Sequence, residues 1–111
     1  MANLDFETTQ NGSVVVVAPT GELDLSGAAV LQAELDRLAQ DGELGGLVID
    51  LRRLAFMDSS GLRLVVLADM QAREAGRRFA LVRGDETVHR VFEITRMSDR
   101  LDFVDDPEDL R

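Results

Sequence analysis

Four small residues in the middle of the chain have the types and spacing for phosphoryl chemistry. Asp58, Ser59, Ser60 and Gly61 come directly after an apolar segment that ends at Met57, and an apolar stretch follows them. At a helix start the backbone N–H groups are free and the helix dipole is positive, so a hydroxyl there tolerates added negative charge. Ser59 is therefore a candidate phosphorylation site, and its simpler interpretation is a helix cap.

The elements that must position this run are alternating strands and helices. Leu47–Leu51 predicts a buried strand, and a helix runs from about Ser59 to Ala75 and stops at Gly76. Further strands are predicted at Leu4–Glu7, Val14–Val17, Glu22–Asp24, Phe79–Val82 and Phe103–Val104, with helices after Ser26 and after Gly84-Asp85. Strands separated by helices indicate right-handed crossovers and a mainly parallel sheet.

Two turn signals shape the first third of the chain. Asn11-Gly12 predicts a two-residue hairpin, which adds antiparallel pairing and makes the sheet mixed. Pro19-Thr20-Gly21 is expected to break the strand that begins at Val14. Ser26 is expected to cap the first helix.

The composition describes one folded α/β domain of 111 residues, with 45% hydrophobic and 30% charged residues. Because cysteine is absent, disulfides and thiolate-built metal sites are excluded. The net charge of −9 disfavours nucleic acid and anionic membranes as partners, and no apolar run is long enough to cross a bilayer. The N-terminus lacks the features of a signal peptide, so we expect a cytoplasmic protein.

Two surfaces are candidates for partner contact. From Leu62 to Ala68 only Arg63 is polar, so we expect Leu64 or Leu67 to be exposed beside Ser59 as part of an interface. Acidic residues crowd positions 99–111, which we interpret as a solvated, frayed C-terminal segment; the alternative is an acidic docking surface.

Two catalytic classes are disfavoured by the residues themselves. A serine hydrolase needs a base beside its nucleophile, but the single histidine, His89, is expected on a solvated face of the third helix, and no Gly-x-Ser-x-Gly elbow is present. A receiver domain phosphorylated on Asp50 or Asp58 would need an acidic pair for Mg²⁺ and a basic residue, and the chain has no lysine. We expect no enzyme, no cofactor and no metal site.

Over essentially the whole chain, 1–111, the sequence resembles the STAS domain family, and within it the bacterial anti-anti-sigma factors. The resemblance depends on Gly21-Glu22-Leu23-Asp24, on Val48-Ile49-Asp50-Leu51, and above all on the run from Leu54 to Leu62 around Asp58-Ser59-Ser60-Gly61. It implies a small mixed sheet of four to five strands with about four helices.

The resemblance also implies a function. Such proteins bind an anti-sigma factor, typically a serine kinase with a histidine-kinase-like ATPase domain, when they are unphosphorylated, and so release a sigma factor. The kinase modifies the serine after the aspartate, here Ser59, and a metal-dependent PPM-type phosphatase reverses the step. The expected partner-binding residues are Asp24, Asp58, Ser59, Ser60, Gly61, Leu62 and Arg63.

Purely structural interpretations remain open for several of these residues. Asp58 could be only the helix N-cap, Asp24 could merely precede the first helix, and Gly61 could simply allow close backbone approach. Ser60 is expected to be a solvated first-turn hydroxyl. The functional alternative is a constitutive STAS adaptor or scaffold of a signalling or lipid-transport complex, in which Ser59 is only a cap.

Overall fold

The computed structural model describes residues 2–110, and within them the chain forms one mixed sheet and three α-helices. The elements in chain order are β1 (Leu4–Asn11), β2 (Val14–Leu23), α1 (Leu25–Ala39), β3 (Gly46–Asp50), β4 (Leu54–Met57), α2 (Ser59–Glu74), β5 (Arg78–Val82), α3 (Glu86–Ile94) and β6 (Phe103–Val104). Two short 3-10 turns, Met97–Asp99 and Pro107–Leu110, complete this part of the chain. The expected four to five strands and about four helices are therefore corrected, within residues 2–110, to six strands, three α-helices and two 3-10 turns.

The sheet has the strand order β1-β2-β3-β5-β6, and β4 lies off this path beside the end of β2. The hairpin pair β1 and β2 is antiparallel, and every other pairing is parallel. The predicted hairpin is present, but its two-residue loop is Gly12-Ser13 rather than Asn11-Gly12, because Asn11 pairs with Val14 as the last residue of β1. Gly12 adopts the positive φ of 64° that this loop requires. The mixed α/β fold is confirmed, as is the short last strand.

The predicted break at Pro19-Thr20-Gly21 is wrong, because β2 continues through it as one ten-residue strand. The first four residues of β2 pair with β3, and its last three, from Gly21 to Leu23, pair with β4. Pro19 falls in the gap between these two pairings, where a residue without an N–H is tolerated. Gly21, with a φ of 98°, then allows the bulge that redirects the strand end.

Strand β4 was missed in the sequence. It has only four residues, its outer two are buried, and Ala55 and Phe56 between them are exposed, so it shows no period-two pattern. Leu23 of β2 pairs with Met57 of β4, two residues far apart in sequence. As a result, α2 begins at the carboxyl end of β4 rather than after a turn that follows β3.

All three helices pack on one face of the sheet. The large core there is built from alternate residues of the central strands and one stripe of each helix, among them Val17, Ile49, Leu81, Leu31, Val65 and Phe92. The helix α2 ends as predicted, with Gly76 at a φ of 73° just beyond it. Leu64 is buried and Leu67 is exposed, so the expected apolar exposure beside Ser59 is confirmed for Leu67.

Within residues 2–110, no α-helix covers the opposite face of the sheet. Val14, Val48 and Val82 form a second, smaller buried cluster there, and Leu110 of the last 3-10 turn packs against it. The acidic C-terminal segment therefore lies against the sheet as far as residue 110, and its fraying in solution stays a prediction. No helix within residues 2–110 is long and apolar enough to span a membrane.

Candidate functional site

Two helices start side by side at the carboxyl edge of the sheet. Leu23 and Met57, the last residues of β2 and β4, are paired in the sheet. The residues that follow them, Asp24 and Asp58, are therefore neighbours. Asp24 Oδ1 accepts a hydrogen bond from the Gly27 N–H at 2.8 Å. Asp58 Oδ1 accepts one from the Ser60 N–H at 2.9 Å. Each aspartate therefore caps its helix.

This arrangement corrects the prediction that Ser26 caps α1. The helix begins at Leu25 with Asp24 as its N-cap, so Ser26 lies in the first turn. Aspartate and serine are similarly favourable at the N-cap position. The hydrogen bond from the Gly27 N–H identifies Asp24 as the N-cap.

Ser59 is the first residue of α2, and its side chain is exposed. Because Asp58 already caps the helix, Ser59 is not needed for capping, and within residues 2–110 its hydroxyl has no hydrogen-bond partner. Ser60 is half-buried. Of the two hydroxyls, that of Ser59 is the more available to an external reagent or surface.

Gly61 faces the interior. A Cβ atom at this position would lie 2.6 Å from Met57 Cγ and 2.8 Å from the Leu23 carbonyl oxygen, both too close. The glycine thus lets the first turn of α2 sit directly on the ends of β2 and β4. Its contribution to the site is the placement of Ser59 at the rim, and it does not itself reach the surface.

The same four-residue pattern occurs at both helix starts. Asp24-Leu25-Ser26-Gly27 matches Asp58-Ser59-Ser60-Gly61, and Gly27, like Gly61, is buried, here against the Glu22 carbonyl. The position that holds Ser59 in α2 holds Leu25 in α1, and Leu25 is 76% exposed. Sequence reasoning missed Leu25, although the repeated Asp-x-Ser-Gly pattern was a signal that could have found it.

Two open grooves flank the start of α2. The α1–α2 groove has a volume of about 650 Å³ and is lined by Leu25, Ala28, Ala29, Gln32, Ser59, Ser60, Arg63, Leu64 and Leu67. The α2–α3 groove, of about 350 Å³, is lined by Ser59, Leu62, Arg63, Val66, Leu67, Thr95 and Met97. Ser59, Arg63 and Leu67 belong to both, so these three residues, spaced four apart, form a ridge along α2 between the grooves.

Of the seven residues expected at the site, the structure brings six to one surface region. Asp24 and Asp58 are half-buried caps, Ser59 and Arg63 are exposed on the ridge, and Ser60 and Leu62 line one groove each. Gly61 lies beneath them. The apolar contributions of α1 and of Met97 were missed, because they come from elements distant in sequence.

His89 is buried, and its expected position on a solvated helix face is wrong. Its ring packs against Phe92 and Phe103, with centroid distances of 5.9 and 5.0 Å. Its Nδ1 atom has no hydrogen-bond partner within the described residues. Burial, with Arg83 adding to the effect and Glu93 opposing it, lowers the pKa of His89. No hydrogen bond connects it with Ser59 among residues 2–110.

Asp50 also lies away from the site, on the sheet face opposite the three α-helices. Burial alone would raise the pKa of Asp50, but hydrogen bonds from Arg52 more than offset this effect and lower the pKa. The Asp50 Oδ2 to Arg52 Nη2 distance is 2.7 Å. Asp50 is therefore a structural ion-pair residue. Within residues 2–110 no group of three or more His, Asp or Glu side chains is placed to hold a metal ion.

Fold and site together define a small mixed α/β domain that presents an exposed serine on a ridge between two apolar grooves. The family model of the STAS domain matches residues 5–110. The chain belongs to the STAS domain family.

The relatives of this chain carry similar names. It is 32% identical over 101 residues to the anti-sigma-B factor antagonist of Bacillus subtilis, covering 91% of each chain. It is 28% identical over 93 residues to the anti-sigma F factor antagonist of Paenibacillus polymyxa, covering 84% of this chain and 80% of that one.

Solved structures confirm the fold. The anti-sigma factor antagonist SpoIIAA in its unphosphorylated form matches with a TM-score of 0.80 at 24% identity, covering 96% of this chain and 93% of that one. An anti-sigma factor antagonist from Mycobacterium paratuberculosis matches with a TM-score of 0.85 at 22% identity, covering 96% and 89%.

Proposed function

We propose that this chain is a cytoplasmic anti-sigma factor antagonist controlled by phosphorylation of Ser59. With Ser59 unmodified, it binds an anti-sigma factor that is also a serine kinase with a histidine-kinase-like ATPase domain, and the sigma factor is released. Phosphorylation of Ser59 ends this binding. A PPM-type phosphatase restores the unmodified form.

The observation that carries the proposal is the exposed Ser59 hydroxyl, free of any capping role, on the ridge between two apolar grooves. The names of the relatives support it, since both are antagonists of anti-sigma factors. A third structural neighbour is SpoIIAA in its phosphorylated form, with a TM-score of 0.74 at 23% identity over 96% of both chains. The phosphorylated form of that neighbour supports the proposal, since its fold is the one found in this chain.

The modification needs no catalytic residue from this chain. Ser59 Oγ attacks the γ-phosphoryl group of ATP, ADP leaves, and the hydroxyl proton passes to a base of the kinase. In the reverse step, water cleaves the phosphoester and releases inorganic phosphate. The chain acts as a substrate and binding partner, and we propose no enzymatic activity for it.

Electrostatics explain how the phosphate would end binding. Phosphorylation adds about −1.5 to −2 charges at neutral pH. The new charge would stand near the carboxylates of Asp24 and Asp58, on a protein whose net charge is already −9. A partner surface fitted to a hydroxyl and two apolar grooves would have to desolvate this dianion. A cost of about 3 kcal/mol weakens an affinity more than about a hundredfold.

The test is an affinity purification from the native cells that compares wild type, Ser59→Ala and Ser59→Asp, with mass spectrometry of the bound proteins. We expect an ATPase-domain protein to be enriched with the alanine variant and lost with the aspartate variant. The captured protein, purified and supplied with ATP, should phosphorylate wild type and not Ser59→Ala.

The matched control is Ser13→Asp, which adds the same charge at an exposed serine of the β1–β2 hairpin. Ser13 precedes the first residue of β2 and the site follows its last, so the two positions are about 30 Å apart. Ser13→Asp should bind like wild type. Equal recovery of one partner by Ser59→Ala and Ser59→Asp would contradict the switch and make the chain a constitutive STAS adaptor.

A further inference from the structure

Arg63 is an isolated positive charge at the site. From Ser59 to Ala68 it is the only charged residue of α2, and its side chain is exposed. Among residues 2–110 no carboxylate forms an ion pair or hydrogen bond with its guanidinium. Elsewhere on the same helix an arginine is engaged, so the isolation of Arg63 does not come from the helix itself.

The engaged arginine provides a geometric template. Asp69 and Arg73 are four residues apart on α2, with the acid nearer the N-terminus, and Arg73 Nε lies 3.0 Å from both carboxylate oxygens of Asp69. Ser59 and Arg63 have the same spacing and the same order on the same helix. An acidic group four residues before a basic one is the favourable orientation on a helix.

We propose that Arg63 is the intramolecular partner of a phosphate on Ser59, a step that rests on Ser59 being the modified residue in the proposed function. The phosphate would occupy the place relative to Arg63 that the Asp69 carboxylate occupies relative to Arg73. A guanidinium binds two oxygens of a phosphate with its planar N–H fork, and such charge-assisted pairs are stronger than neutral hydrogen bonds. Arg63 is a positioning residue for the modified state.

Two consequences follow for the switch. In the unmodified protein, Arg63 is free on the ridge and available to a carboxylate of the partner. After phosphorylation, Arg63 is paired with the phosphate. The modification therefore adds negative charge and also makes the guanidinium of Arg63 unavailable to the partner. The pair also keeps the phosphate against an intact α2, so the phosphorylated protein stays folded at the site.

The test uses the full chain with phosphoserine incorporated at position 59 during translation, so that no kinase is needed. The pKa of the phosphate is measured by ³¹P NMR titration in the otherwise wild-type protein, in Arg63→Gln and in Arg78→Gln. Arg78 is exposed and without an ion pair within the described residues, and it lies beyond the far end of the 16-residue helix, about 24 Å from Ser59.

A phosphoserine has a second pKa of about 6. We expect Arg63→Gln to raise the pKa of the phosphate by about 0.2–0.4 units, the shift that corresponds to a helical ion pair at this spacing. Arg78→Gln should leave the pKa unchanged. An unchanged pKa in Arg63→Gln, or an equal shift in both variants, would overturn the proposal.

A second measurement separates a direct contact from a general field effect. The Nε–H resonance of Arg63 should shift and become protected from exchange with water when residue 59 is phosphoserine, and should respond to the phosphate titration. Arg63→Lys should retain most of the lowered phosphate pKa, because the charge remains. If the chemical shift and exchange rate of the Arg63 Nε–H did not change with phosphorylation or during the titration, the pairing would be contradicted.

The result is independent of the partner. If Arg63 does not pair with the phosphate, the expected loss of partner binding in Ser59→Asp is unaffected. A chain that binds no kinase could still show the shifted phosphate pKa, because the phosphate is installed without one. The two proposals therefore fail by different measurements.

Discussion

At the scale of single residues, the side chains that stabilise the fold of the site are distinct from the serine that we propose is phosphorylated. Asp58 caps α2 through the Ser60 N–H, and Gly61 seats the helix on the strand ends, so both residues serve the fold. The Ser59 hydroxyl makes no hydrogen bond within residues 2–110. Variants at Ser59 should therefore fold normally, which makes the binding experiments interpretable.

Gly61→Ala should be strongly destabilising, because its methyl group would collide with Met57 and with the Leu23 carbonyl oxygen. Overpacking of this kind costs about 1–3 kcal/mol. We expect a loss of at least about 1 kcal/mol in the free energy of unfolding, measured by urea denaturation with circular dichroism.

Gly42→Ala is the control for this substitution. Nothing lies within 4 Å of a Cβ atom at Gly42, and its φ is not in the left-handed region. We expect its free energy of unfolding to stay within about 0.5 kcal/mol of wild type. Equal stability of the two variants would show that α2 can shift away from the strand ends at little cost.

At the scale of elements, the site is made by where helices leave strands. The parallel strands β2 and β4 end side by side, and α1 and α2 begin directly after them. The space between the two helices forms the apolar α1–α2 groove. The third helix and the 3-10 turn after it close a second groove on the other side of α2. Among residues 2–110, only the exposed ridge of Ser59, Arg63 and Leu67 lines both grooves.

Leu25→Asp should weaken capture of the proposed partner by at least about tenfold, since it places a charge in the α1–α2 groove that the partner must desolvate. Leu25 is 76% exposed, so the free energy of unfolding should change by no more than about 0.5 kcal/mol. The measurement is an affinity titration with the captured partner, alongside urea denaturation of the free protein.

Ile94→Asp is the matched variant. Ile94 is 74% exposed, almost as much as Leu25, but it lines neither groove. It should bind the partner like wild type. If both variants lost binding equally, the contact would extend well beyond the grooves, and if neither did, the α1–α2 groove would lie outside the interface.

At the scale of the whole molecule, three helices cover one face of the sheet, and His89 is enclosed where α3 meets β6. Phe92 and Phe103 surround its ring, and its Nδ1 atom has no partner among residues 2–110. Charging this ring inside the apolar cluster is unfavourable. The folded protein therefore holds the pKa of His89 below its ordinary value, through burial first and Arg83 second.

This lowered pKa predicts how global stability depends on pH. The unfolded chain, in which histidine has a pKa of about 6.5, takes up a proton more readily than the folded protein does. The stabilisation is thus fully present above that pKa and is lost as the pH falls toward the folded pKa. Because His89 is the only histidine, the slope of stability against pH between about 5.5 and 7.5 should be smaller in His89→Asn.

Urea denaturation at several pH values measures this slope in both proteins. The Asn variant is expected to lose stability at every pH, so the slope and not the absolute value is the result. Identical slopes in wild type and His89→Asn would mean that the histidine titrates alike in the folded and unfolded states.

Most of the secondary structure was predictable because its causes are local. Helix caps, glycine stops and the apolar periodicity act within a few residues, and they placed α2, its end before Gly76 and the exposed position of Ser59 in the first turn. The same locality explains why Ser59, Ser60 and Arg63 were predicted to share a site. All three lie within two turns of one helix.

Only the tertiary structure decided the remainder, since it depends on contacts between distant segments. The pairing of Leu23 with Met57 created β4 and brought Asp24 beside Asp58, and no local pattern indicates it. Packing of α1 and of the turn after α3 built the two grooves. The burial of His89 followed from Phe103, a residue that a helix-face pattern cannot include. The local sequence alone determined that an exposed serine lies at the start of a helix. Packing between distant segments determined the surface that surrounds this serine.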